Sequence, residues 1–205
     1  MPIWTFVRHG QSVANQEGWL AGHQDAPLTE QGRTEARAAG TRLTTPLPTR
    51  AFCSDLSRAH ETARLMLAGL DIPLTITPKL RERTCGALER RSIAEVAAHP
   101  EYPTRLSSWT GRPPGGESLL DVALRAVRWL ASVDDDSSGE TLVVAHGALI
   151  AAVIVVLDGR PRSDLDQWRL GNCAMVRREI ASGTWIQRLD ELRCESSNVD
   201  KRAKE

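Results

Sequence analysis

Hydrophobic positions along the chain alternate between short continuous runs and longer segments of helical spacing. The run Ile3-Trp4-Thr5-Phe6-Val7, rich in β-branched and aromatic residues and bounded by Gly10, predicts a short buried strand. From Thr29-Glu30 to Thr44 the apolar residues Ala36, Ala39 and Leu43 share a face, which predicts a helix closed by Pro46 and Pro48. Ala51 to Cys53 reads as a very short strand. Ser57 to Leu70 follows as a helix with Ala59, Ala63, Met66, Leu67 and Leu70 inward, and Leu74 to Ile76 as another strand. Ser92 to His99 is helical up to Pro100, and the stretch to Gly116 reads as loop because prolines and glycines punctuate it. Leu119 to Val133 is the clearest helix. The acidic cluster Asp134 to Asp136, running into Ser137-Ser138-Gly139, predicts a solvated loop. Thr141 to Ala145 is a continuous apolar strand, Gly147 opens a buried helix through Leu157, and Cys173 to Ile180 with Thr184 to Leu189 predict two late strands. Such alternation calls for a mainly parallel sheet covered on both faces.

The 205-residue length suits one domain, expected to span residues 1–190. Residues 191–205 are almost wholly polar and predict a fraying tail, with a short terminal helix as the alternative. Lys plus Arg and Asp plus Glu are equal at 26 each, so no overall basic field draws the chain to nucleic acid or to an anionic membrane. The Trp residues at 109, 129, 168 and 185 carry no interleaved basic stripe and read as packing. The longest apolar run, Ala148 to Leu157, is about half of a membrane span. Cys53, Cys85, Cys173 and Cys194 form no Cys-x-x-Cys pair and lack a His at zinc spacing. They read as reduced thiols of a cytoplasmic protein, with no metal site expected.

Local charge carries the chemistry instead. Arg8-His9-Gly10 follows the first strand and His146-Gly147 follows the strand ending at Ala145, so two strands each deliver an imidazole to the same sheet edge. In open α/β sheets that edge is where ligands bind. Gly147 leads into a helix whose free N–H groups favour an anion. Arg58 falls in the first turn of its helix, against the helix dipole, which an anion between them would explain.

The pieces Phe6-Val7-Arg8-His9-Gly10-Gln11-Ser12, Leu28-Thr29-Glu30-Gln31-Gly32, Ser54-Asp55-Leu56-Ser57-Arg58-Ala59, Leu80-Arg81-Glu82, Gly116-Glu117-Ser118 and Val144-Ala145-His146-Gly147 resemble, in order, the histidine phosphatase (phosphoglycerate mutase-like) superfamily. The resemblance implies a three-layer α/β/α sandwich, no metal or other cofactor, and a phosphohistidine intermediate. It makes His9 the nucleophile, with Arg8, Arg58 and a protonated His146 around the phosphoryl oxygens. Glu82 becomes the group that gives a proton to the leaving oxygen and later takes one from water. Asn15, Gly22 and Gly147 match positions that approach phosphate or substrate.

The partner implied is a small phosphorylated metabolite, with a homodimer among the open oligomeric states. Against the phosphoglycerate mutase pattern, Cys85 stands for a Tyr and Ile93 for a Lys, and Trp109 is followed by Thr110-Gly111 instead of two arginines. Binding of a distal anion is thereby weakened, and a phosphomonoesterase is favoured over a mutase or sugar bisphosphatase. A phosphate-binding module without turnover is the remaining reading. Arg90 replaces a Gly of the pattern, and with Arg91 it points either into the mouth, where it binds a second anionic group, or to solvent. Arg112 poses the same question. His23 and His60 read as a loop residue near the mouth and a helix-surface residue.

Overall fold

The computed structural model describes residues 1–43, 46–134, 139–168 and 170–202. Strands β1 (Ile3–Arg8), β2 (Pro48–Ser54), β3 (Leu74–Thr77), β4 (Glu140–Ala145) and β5 (Met175–Glu179) form one sheet in the order β3-β2-β4-β1-β5. The first four pair in parallel; β5 runs antiparallel to β1 at the edge. The helices are α1 (Val13–Glu17), α2 (Glu30–Gly40), α3 (Ser57–Met66), α4 (Ile93–Ala98), α5 (Tyr102–Ser107), α6 (Leu119–Ser132), α7 (Gly147–Leu157) and α8 (Thr184–Arg202).

The pleat divides each strand between two cores. Trp4 and Phe6 of β1, Phe52 of β2, and Val143 and Ala145 of β4 pack with α6, α7 and α8. Val7, Ala51, Cys53, Leu142 and Val144 face the opposite way, onto α2 and α3. Helices therefore cover both faces, in the three layers expected. All six residues of β4 are buried, which is why this strand reads as a continuous apolar run. The last nine residues of α7 are buried too, so that helix is apolar all round.

Two glycines let the loop after β1 sit directly on α2. A Cβ on Gly10 would stand 2.4 Å from the Gly32 carbonyl oxygen, and one on Gly32 would stand 2.0 Å from that of Gln11. The backbones touch where no side chain fits. Thr29 fixes the contact, donating its N–H to the Gln11 carbonyl at 2.9 Å while its hydroxyl caps the Gly32 N–H at 3.0 Å.

Several elements depart from the sequence reading. Thr184 to Leu189 is the start of α8, not a strand, and the boundary placed after residue 190 falls inside this helix, which runs to Arg202. Trp185, Leu189 and Leu192 share one helical face and are buried, with Trp185 edge-on to Trp4 at 5.4 Å between ring centroids. The polar composition of residues 191–202 thus belongs largely to a helix whose inner face is anchored at only a few positions. α5 occupies part of the expected loop, and its Pro103 lies in the first turn, where a missing N–H costs nothing. β2 starts earlier than read, at Pro48, a position open to proline because it begins the strand. α1 was passed over: it has only five residues, capped by Ser12 and Asn15. α2 ends at Gly40; Thr44 and most of the acidic loop, residues 135–138, lie outside the described residues.

The register of α8 is open to a stability test. Leu192→Ala removes a fully buried side chain and is expected to cost about 2–4 kcal/mol in urea unfolding. Ile186→Ala, on the outer face with 57% exposure, should stay within about 0.5 kcal/mol.

Candidate active site

The β1–β4 pairing brings the two imidazoles together. Arg8 pairs with Ala145 in register, and the His9 N–H donates to the Ala145 carbonyl at 3.0 Å. His9 and His146 follow these strands, with ring centroids 5.1 Å apart and planes at 62°. Nδ1 of His9 lies 2.7 Å from the Gly10 carbonyl oxygen, and only a protonated Nδ1 makes that bond. The lone pair of the neutral ring is thereby left on Nε2. Burial, and after it the positive charge of Arg58, bring the His9 pKa down to about 3; the Gly10 bond opposes this and Arg8 adds to it. His9 is therefore neutral and held in one tautomer.

His146 is fully buried, and neither ring nitrogen has a hydrogen-bond partner. Burial, then Arg58, His9 and Arg8, hold its pKa well below the usual histidine range. In the unliganded site His146 is therefore neutral, because burial and two fixed cations oppose a further charge; the protonated form expected from the resemblance belongs to the phosphate-bound site. Nε of Arg8 is likewise buried without a partner, while its NH1 donates to the Leu170 carbonyl. Buried polar groups are normally satisfied, so these unpartnered groups next to His9 mark a place for a ligand.

Arg58 is 1% exposed in the first turn of α3. Its cation is set against the carbonyls of Gln24 and Gly22, at 3.0 and 2.8 Å, which compensate for its place against the helix dipole. Thr62, one turn on, accepts from the Gly10 N–H at 3.0 Å and donates to the Arg58 carbonyl at 2.6 Å, tying α3 to the loop of His9. Gly22 contributes its carbonyl, at a φ of +49°, and a Cβ there would run into the Glu89 carboxylate. Glu89 accepts from the N–H groups of His23 and Cys85, from Gln24 and from Thr84, at 2.7–3.1 Å. Burial raises its pKa, but these bonds outweigh burial and leave it below the ordinary range. Glu89 braces the loop that holds Arg58, a role that sequence reasoning missed while attending to the arginines beside it.

The anion at the amino terminus of α7 is the protein's own. Glu82 accepts from the N–H groups of Ala148 and Leu149 at 3.3 and 3.2 Å, and from that of Arg83 at 2.9 Å. Its backbone carbonyl accepts from His23 Nε2 at 2.7 Å, so His23 lies against the site, supporting the segment that carries Glu82. Gly147 lies against Arg8, but a Cβ there would meet Nε of Arg8 at 3.5 Å, ordinary contact, so the space does not require a glycine.

Asn15 accepts through Oδ1 from both the N–H and the hydroxyl of Ser12, each at 3.1 Å, and from Asn172 at 3.2 Å. Asn172 also donates to the His9 carbonyl at 3.1 Å. It lies in a short turn outside any motif or periodic segment, and nothing in the sequence pointed to it. Arg90 and Arg91 are exposed and are not among the residues lining the cavity beside Arg8 and Glu82, which fits the solvent-facing of the two alternatives read from the sequence. Arg90 takes a φ of +67°, a conformation suited to the glycine of the family pattern, and its Nε donates to Gln24 Oε1 at 3.1 Å. Arg112 pairs with Asp121 at 2.7 Å. Among the described residues no three His, Cys, Asp or Glu side chains gather as a metal site, and no helix is long and apolar enough to cross a membrane. The four cysteines are unpaired.

A sheet edge carrying two imidazoles, two guanidinium groups and a carboxylate is an arrangement for phosphoryl transfer. The chain belongs to the histidine phosphatase superfamily (branch 1), whose family model matches residues 4–191. The 2,3-bisphosphoglycerate-dependent phosphoglycerate mutase 2 of Gloeobacter violaceus is 39% identical over 197 residues, covering 91% of this chain and 90% of the relative. A mycobacterial glucosyl-3-phosphoglycerate phosphatase superposes with a TM-score of 0.78 at 30% identity, covering 85% of this chain and 91% of that one. The α-ribazole phosphatase from Shigella flexneri gives 0.78 at 27% identity, covering 88% and 91%. Phosphatases and a mutase both stand among these relatives, and phosphoryl transfer is what they share.

The depressed His9 pKa couples the site to stability. An unfolded His binds a proton near pH 6.5 whereas folded His9 does so only near 3, so His9's contribution is complete above 6.5 and lost as pH falls through that window. Urea unfolding should show a smaller loss between pH 7 and pH 5 in His9→Gln than in wild type, by on the order of 1–2 kcal/mol. Equal losses would contradict the buried, neutral assignment.

Proposed function

We propose that the protein is a metal-independent phosphomonoesterase that works through phospho-His9. The observation that carries this reading is a neutral His9, fixed with its lone pair on Nε2, beside Arg8, Arg58 and His146. An incoming phosphate dianion gives Arg8 Nε its missing partner and shares the charge of Arg58. The same dianion favours a protonated His146, reversing the state of the unliganded site. Nε2 attacks phosphorus, the P–O ester bond breaks, and Glu82, a carboxylate in the unliganded site that takes up a proton as the phosphate enters, gives that proton to the departing oxygen. Water then attacks the phosphohistidine, Glu82 takes the water proton, and the P–N bond breaks to free phosphate. Electrostatic stabilisation by fixed cations stands in for a metal.

Hydrolysis is favoured over mutase chemistry because three of the nearby cations are otherwise engaged. A mutase must hold a second phosphate, yet Arg112 pairs with Asp121, Arg90 bonds Gln24, and Arg83 is turned inward onto four carbonyls. The second reading, a phosphoglycerate mutase, draws on the name of the 39% identical relative. An inactive binding module is disfavoured because the five residues expected to do chemistry are all present and close together.

Hydrolysis of p-nitrophenyl phosphate is expected to persist in chelator. His9→Ala should lower kcat by about a thousandfold or more with an unchanged circular dichroism spectrum. With 3-phosphoglycerate and its bisphosphate, release of inorganic phosphate without interconversion of the monophosphates is expected, and efficient interconversion would give the function to the mutase reading.

A further inference from the structure

A cavity of about 630 Å³ opens beside Arg8, Glu82, Gly147 and Ala148, next to the carboxyl group assigned above to the leaving oxygen. Away from these residues, and apart from Arg83 and Ser107, its wall among the described residues is hydrocarbon: Leu20, Ile93, Val96, Leu106, Leu119 and Leu170 line it. Arg83 borders it but cannot serve a ligand there, because its guanidinium donates to the carbonyls of Glu117, Leu106, Arg105 and Gly111 at 2.7–3.2 Å and the residue is buried. Ile93, at the first position of α4, is 53% exposed, a large apolar side chain left in water at the cavity wall. The volume falls in the range of sites that enclose drug-sized ligands, roughly 300–1,000 Å³, and a three-carbon acid would leave most of it unfilled.

The chemistry of this wall selects the leaving group. Hydroxyl or carboxylate substituents on the departing alcohol would lose their water here and meet few donors in return. A hydrocarbon gains from the same transfer. We propose that the physiological substrates are phosphomonoesters of apolar alcohols, aryl or extended alkyl, with the phosphate on His9 and the hydrocarbon enclosed between α4, α5 and α7. The inference rests on the phosphomonoesterase reading above. The ester oxygen leaves as the free alcohol, protonated by Glu82, into a pocket that matches its hydrocarbon.

The n-alkyl monophosphates from ethyl to octyl test this cleanly, because the reactivity of their leaving groups is nearly constant and kcat/KM then reports enclosure of the chain. Each added methylene should raise kcat/KM roughly three- to fourfold until the cavity is filled. 3-Phosphoglycerate and glucose 6-phosphate should fall no higher than ethyl phosphate. A flat or falling series, with p-nitrophenyl phosphate still hydrolysed, would overturn the apolar-substrate inference and leave the phosphatase reading standing. Failure to hydrolyse any of these esters would overturn that reading itself. Ile93→Lys, at an exposed position that tolerates charge, should lower the octyl-to-ethyl ratio of kcat/KM about tenfold. A ratio equal to wild type would assign the chain to some other surface and overturn the inference.

Discussion

Parallel pairing of β1 with β4, in the register that sets Arg8 opposite Ala145, is the constraint on which the site depends. It places His9 and His146 side by side at one sheet edge and directs the amino terminus of α7 toward the same point. A slip of one residue would turn the side chains of a strand to the opposite face and bury polar groups in a core built for Trp4, Phe6 and Val143. The two hydrophobic cores therefore hold the chemistry in place. Apolar packing on both faces fixes the register, and the register fixes the distance between the imidazoles.

The electrostatics of the site follow from the same burial. Arg58 and Arg8 lie close to two histidines in a dry setting, and both cations push the imidazoles toward neutrality. Charges suited to holding an anion thus also keep His9 unprotonated. Concentrating positive charge in this way is destabilising, and the chain meets the cost with carbonyls. Gly22 and Gln24 accept from Arg58, and Glu89 stiffens the loop that presents them. Glu82 meanwhile satisfies the helix N–H groups of α7 that would otherwise face the site unpaired.

What was legible in the sequence was whatever local pattern alone determines. β4 and α7 announce themselves through continuous apolar runs, and His9 and His146 through their placement after such runs. Arg58 stood out because a cation in the first turn of a helix opposes the dipole. The state of His146 was not legible, because it depends on burial and on two arginines brought from distant parts of the chain. Asn172 and Glu89 act through contacts with backbone far away in sequence, and no spacing rule reveals such contacts. α8 was misread for a related reason: Trp185, Leu189 and Leu192 carry a helical period, but the β-branched and aromatic residues before Leu189 imitate a strand when taken alone. Arg90 shows a departure of another sort. Its positive φ accounts for the glycine of the family pattern, while its exposure explains why an arginine is accepted there.

Chemistry and specificity occupy different structural layers of this protein. The groups around the phosphate come largely from strand ends and helix starts on the central sheet, where packing leaves little freedom. The wall of the neighbouring cavity is made mainly by short helices, α4 and α5, and by the segments that flank them. Arg83 holds that wall together: one buried guanidinium ties the segment after β3 to the end of α5 and to the approach to α6. A cation at the cavity wall is used to cross-link backbone, and beyond Arg8, Glu82 and Ser107 the described residues facing the cavity are mostly apolar. Because Arg83 directs its guanidinium to four backbone carbonyls, those donors are withheld from the cavity it borders, and apolar side chains make most of the remaining wall among the described residues.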